Sequence, residues 1–139
     1  MTIETVSTAR SFKRVNLLQR AESALLLGLS VYTFQRLFPH QWLVFWLLFF
    51  IPDISLLGYA GSALSKKRAA DLYNSFHSYV VPVPLLIAGW ALSWSLTTKM
   101  ALILAAHISF DRMLGYGLKL QDGFCFTHLG MVGMTKRPA

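Results

Sequence analysis

Disulfide bonding is excluded at the outset: Cys125 is the only cysteine among 139 residues, so no intrachain bridge can form. The same count excludes zinc sites built on paired cysteines. A single cysteine in an apolar stretch reads as a small packing residue. Charge is also scarce. Charged residues make up 14% of the chain, where a soluble domain carries about 25%. Only 6 residues are acidic, against 13 lysines and arginines. No internal repeat or low-complexity tract occurs, and the length leaves room for one domain. No phosphate-cradling loop is present either. Gly115 and Gly117 lack a preceding strand and a following lysine pattern, and read as a close helix approach or a helix end.

Hydrophobic residues are abundant, at 55%, and they gather in long runs. That argues for a membrane protein. The net charge of +7 comes from basic residues that flank the runs. They do not interleave with exposed aromatics along a groove, so nucleic acid is not an expected partner. The expected partner is the lipid bilayer.

Four spans are expected. Residues 1–16 form a polar, basic N-terminal segment, and residues 17–120 hold the transmembrane domain. Residues 1–20 end in a basic cluster of Arg10, Lys13, Arg14 and Arg20, and the first span, 17–38, begins within it. No small-residue cleavage site closes its apolar run, so it reads as an uncleaved span. The second, 41–61, is interrupted by Pro52-Asp53, where proline removes a backbone donor and kinks the helix. The third, 69–96, is polar as far as Ser78 and apolar after Val80, with Pro82 and Pro84 bending it. The fourth, 100–120, carries His107, Asp111 and Arg112. The tail, 121–139, reads as an interfacial helix or a loop tucked under the bundle. Four spans put both termini and the loop containing Lys66, Lys67 and Arg68 on one side, which the positive-inside rule assigns to the cytoplasm. The expected fold is an all-α integral membrane bundle of four helices. A membrane protein this small often forms homo-oligomers, but no seam in the sequence specifies one.

Ionisable residues inside such spans are expensive and usually functional. Asp53 lies about 12 residues into span two from its outer end, and Asp111 about 12 into span four. At 1.5 Å per residue both sit roughly 18 Å deep in a core about 30 Å thick. His77 enters from the opposite face, roughly 12 Å in, so the three depths agree within about 5 Å. His107 and Asp111, at i and i+4, share a helix face. Asn74 and His77, at i and i+3, share another. Two histidines and two carboxylates suit Zn, Mn or Fe, or Mg with waters. An open coordination position would support hydrolysis, with a water as nucleophile. Tyr73, Asn74 or Arg112 would orient the substrate, a lipid or other apolar molecule.

Other readings compete. Arg112 points about 100° away from Asp111 around the helix. It could pair with Asp53 and Asp111 in a buried network that pins the helices, or grip an anionic head group. The protein would then be non-enzymatic: a proton or ion relay, or a helical subunit of a complex. Metal-free lipid binding through Arg112 and the cluster Lys66, Lys67 and Arg68 is a third option. His128 could add a fifth ligand or cap a helix.

Pro52-Asp53, His77-Ser78 and His107-x-x-x-Asp111, in that order, resemble the bacterial inner-membrane metal-dependent hydrolases. Those carry a PD-x-D segment, a THS segment and an H-x-x-x-D helix. The resemblance implies metal ligation by Asp53, His77, His107 and Asp111; Asp53 and His107 are also expected to be catalytic. Ser55 stands where the second aspartate would be, Phe76 replaces the threonine, and the first span lacks the family's histidine. The strings FFIPDISLLGY, YNSFHSY, AHISFDRMLGYGLK and FTHLG are more closely similar to a small bacterial membrane family, domain of unknown function 4260. That likeness spans most of residues 22–133. It implies a compact helical protein of the bacterial inner membrane and supplies no activity.

Overall fold

The computed structural model describes residues 3–59, 66–121 and 125–131. Most of them are helical. Helix α1 (Ile3–Leu37) is 35 residues long, about 52 Å at the usual rise. Helix α2 (Trp42–Phe49) passes into a 3-10 segment, Ile51–Tyr59. Helices α3 (Lys66–Phe76), α4 (Pro82–Ala91) and α5 (Ser95–Leu114) follow, then a hairpin of β1 (Phe126–Thr127) and β2 (Gly130–Met131).

Prolines set two of the breaks. Pro52 has no N–H for an α-helical bond, and the chain tightens instead: the Asp53 N–H donates to the Phe50 carbonyl at 3.2 Å, three residues back. Pro82 opens α4 at its first turn, where a missing donor costs nothing. Residues 77–81 therefore form a turn between two helices, where one bent span was expected. The second span likewise consists of two pieces, of 8 and 9 residues.

Helix α5 starts five residues before the expected Met100 and stops six before the expected Leu120. Gly115 ends it, with φ at 99°. Its N–H reaches the Arg112 carbonyl at 3.1 Å, and the Tyr116 N–H reaches Asp111 at 2.8 Å. These paired bonds satisfy carbonyls left over at the helix end and need a left-handed residue, which favours glycine. The freed strand 118–120 pairs with the tail. The Leu120 N–H donates to Phe126 at 2.8 Å, and the His128 N–H to Leu118 at 3.1 Å. Residues 126–131 of the tail are thus a hairpin and not an interfacial helix. Asn16 and Arg20 of α1 bind the carbonyls of Leu129 and Met113, at 2.9 and 2.7 Å.

Helix α5 is the centre of the molecule, packing against α1, α2 and α4, while α3 packs on the 3-10 segment. Ala101 and Ala106 on α5 are fully buried and let neighbouring helices close in. Gly89 performs the same service for α4: a Cβ there would come within 2.6 Å of Thr98 Oγ1. The core is aromatic. Phe34, Phe38, Phe45 and Phe49 are buried with Leu102, Ile103 and Ala106. Phe49 carries this cluster to the edge of His107, with ring centroids 5.2 Å apart.

Large apolar side chains also cover the outside. Leu25, Leu43, Val80 and Trp90 are 76%, 74%, 79% and 82% exposed. Yet no helix among the described residues is long and apolar enough to cross a membrane. A span needs about 20 apolar residues. Segments two and three are broken into shorter pieces, and α5, with 20 residues, carries Lys99, Asp111 and Arg112.

Candidate metal centre

Three elements deliver four side chains to one point. The 3-10 segment brings Asp53, one residue beyond the proline that redirects the chain. The end of α3 brings His77, whose N–H still bonds back to Tyr73 at 3.0 Å. Helix α5 brings His107 and Asp111 from adjacent turns. One ligand atom from each lies within 4.8 Å of all the others. The two Nε2 atoms are 3.1 Å apart. His77 Nε2 is 3.7 Å from Asp53 Oδ1 and 3.5 Å from Asp111 Oδ2. His107 Nε2 is 3.6 and 3.8 Å from the same two oxygens. A tetrahedral ion with bonds of 2.0–2.1 Å separates its ligand atoms by about 3.3–3.4 Å. These five edges scatter around that value.

The orientation of His77 is fixed. Its Nδ1 lies 2.9 Å from the Tyr73 carbonyl. A carbonyl only accepts, so Nδ1 carries the proton and Nε2 presents a lone pair to the cluster. This is the arrangement that orients imidazole ligands in metal sites. The Tyr73 ring stacks on the imidazole at 3.7 Å and 12°, and its hydroxyl donates to Asp111 Oδ2 at 3.3 Å. One tyrosine thus steadies two of the four groups. His107 is held by packing against Phe49, and its Nδ1 is buried without a hydrogen-bond partner among the described residues.

Burial is uneven. The histidine side chains are 3% and 2% exposed, Asp111 16% and Asp53 41%. The centre is therefore closed on the α5 side and opens at Asp53. Two ionised carboxylates and two neutral imidazoles sum to two negative charges, which a divalent cation balances.

The other sequence candidates fall elsewhere. Asn74 turns away from the centre and clamps the chain after α5: its amide donates to the Lys119 carbonyl at 2.9 Å and accepts from the Lys119 N–H at 2.7 Å. The Arg112 guanidinium lies over the Tyr79 ring at 4.5 Å. Among the described residues it forms no ion pair with Asp53 or Asp111, so the expected carboxylate–arginine network is replaced by an aspartate–histidine one. Its direction around α5, away from Asp111, accounts for this. His128 is not in the cluster; its Nδ1 accepts from the Leu118 N–H at 2.8 Å. Burial, and then the charge of Arg112, hold that imidazole below its usual range. The loop with Lys66 begins α3, and its preceding residues 60–65 lie outside the described residues.

Lys119 escaped the sequence reading. It is 4% exposed, its ammonium lies 5.3 Å from the Tyr73 ring, and it is within electrostatic range of Asp111. Only the early stop at Gly115 and the Asn74 clamp bring it there; the glycine reads equally as a packing residue, and the clamp leaves no local signal. Tyr73 had such a signal, its i,i+4 spacing to His77.

The described geometry falls inside a recognised family. A family model, Domain of unknown function (DUF4260), matches residues 16–132. The chain belongs to this family. All four converging residues and Tyr73 lie within the match. No curated protein and no solved structure shows significant similarity to the chain.

Proposed function

We propose that this DUF4260 chain is a metal-dependent membrane enzyme of the hydrolytic type. The observation that carries the reading is the convergence of Asp53, His77, His107 and Asp111, from three elements, within 4.8 Å. The donor set suits Zn, Mn or Fe, or Mg with waters, and the locked Nδ1–H of His77 supports it. A divalent ion would supply Lewis acidity and an activated water. The chain's own groups supply the rest. His77 holds its Nε2 lone pair inward, His107 Nε2 lies 3.1 Å from it, Tyr73 orients Asp111, and Asp53, the most exposed of the four, sits where reactants enter. A lipid surrounding is supported by the many large apolar side chains exposed on every helix.

The test is elemental analysis of detergent-purified, full-length protein after reloading with zinc, manganese, iron or magnesium. About one ion per chain is expected, lost in His107→Ala. No stoichiometric metal after reloading would sink the proposal. A second reading, a structural aspartate–histidine network without metal, is favoured by the 3.1 Å contact between the two Nε2 atoms, which a single hydrogen can bridge. It requires a folded protein indifferent to metal.

A further inference from the structure

An apolar slot of about 200 Å³ is lined by sequence neighbours of the site residues rather than by the four themselves. Pro52 and Phe76 in its wall immediately precede Asp53 and His77, and consecutive Cα atoms are 3.8 Å apart. Ile103 and Leu104 in its wall lie one turn before His107 on α5. The slot therefore touches all three elements that carry the four site residues. Leu85 and Met100 line it further out, Met100 about 10 Å along α5 from His107. Among the described residues no charged or hydrogen-bonding side chain lines it, so a polar group entering would lose its water without compensation. Its volume holds roughly seven groups of about 30 Å³, the size of a water. A second apolar cavity, of about 320 Å³, is walled by Phe45, Phe49 and Phe110. Its route to the centre is closed by buried Phe49, whose ring packs edge-on against His107.

Resting on the metal-enzyme reading, we propose that the slot takes the hydrocarbon chain of the substrate. The substrate class is then an amphiphile with one acyl or alkyl chain, of which about six to eight carbons fit the slot, and whose polar head lies at the four-residue centre. The chain is recognised by burial alone. Specificity for chain length is set by the slot's outer end, near Met100.

The test uses full-length protein loaded with cobalt(II) in one fixed detergent, titrated with acetohydroxamate and octanohydroxamate and followed by the cobalt absorption bands. Each buried methylene adds up to about fourfold in affinity. Wild type is expected to prefer the octanoyl probe by at least about 100-fold, since detergent partitioning takes back part of the gain. Leu85→Trp, which fills the slot, should cut that preference below about tenfold while one cobalt per chain remains bound. Partitioning of the probe is the same for both proteins and cancels in the comparison. If Leu85→Trp does not fold, Met100→Trp at the outer end should move the optimum to shorter chains. Bound cobalt with equal preference in wild type and variants would overturn the slot and leave the metal centre standing. Failure to take up cobalt would overturn both.

Discussion

Replacing Asp53 by Asn separates a metal centre from a structural network, because the two demand opposite behaviour of the metal-free protein. Without metal, the ligand oxygens of Asp53 and Asp111 lie within 4.8 Å. Burial, and then the charge of Asp53, push the Asp111 carboxyl up to about 7, so the comparison is made above that pH, where two full charges at that distance repel by about 3.5 kcal/mol at an effective dielectric of 20. Asp53 is 41% exposed, so solvent reduces this to about 1 kcal/mol. The contacts that oppose it, 3.7 and 3.6 Å to the two imidazoles, are too long for good hydrogen bonds. The Asp53→Asn protein in EDTA should therefore melt at the wild-type temperature or up to about 3 °C above it. Metal reverses the order. A single ion at a hundred times its Kd stabilises by about 2.7 kcal/mol, or roughly 10 °C for a chain of this size. An amide oxygen is a poorer ligand, so the variant should gain less than half of that. Scanning fluorimetry in detergent, first with EDTA and then with zinc, reads both numbers. A variant that melts more than about 5 °C below wild type in EDTA, with zinc shifting neither protein, would refute the reasoning and make the cluster a structural pin.

Tyr73→Phe keeps the stack on His77 but removes the donor to Asp111. Metal affinity should fall by about 10-fold, as for other groups that orient ligands; chelator competition measures it. Gly89→Ala places a Cβ 2.6 Å from Thr98 Oγ1 and 2.7 Å from its backbone nitrogen. It should cost about 1–3 kcal/mol, seen as a lowered melting temperature, and an unchanged one would contradict the close contact of α4 and α5. His128 gives a pH dependence. Its imidazole is held below its usual range in the folded protein, so the unfolded state binds the proton more readily. The stability it contributes is full above about pH 6.5 and is lost as the pH falls below that value. The protection factor of the Leu118 amide, whose proton His128 Nδ1 accepts, should fall on acidification once the intrinsic pH dependence of exchange is divided out. That pH effect should vanish in His128→Gln.

Much of the candidate site could be read along the chain. His107 and Asp111 share a face by helical period alone, and Pro52 announced a redirection at Asp53. The four side chains do converge; the depth in a bilayer that was expected to bring His77 level with them has no counterpart among the described helices, none of which is long and apolar enough to cross a membrane. Helix boundaries were less legible. Pro52, Pro82 and Pro84 read as bends within continuous spans, whereas the chain breaks fully at 50 and at 77–81, because the hydrogen-bond ladder does not continue through a proline. The end of α5 was missed because Gly115 reads equally well as a packing glycine or a left-handed cap. That single residue decides whether 116–120 extends the helix or pairs with the tail.

What the sequence determined by itself is composition and local period: a helical chain too apolar for an ordinary soluble surface, with few charges and those at suggestive positions. Those properties are additive along the chain, so no fold is needed to read them. The tertiary structure alone decided the partners. It turned Arg112 onto Tyr79, tied Asn74 to Lys119, and stacked Tyr73 on His77. Each depends on the rotation of one helix against another, set by packing at distant residues such as Gly89, Ala101 and Ala106. A linear pattern fixes which face a residue occupies, but packing fixes what that face meets.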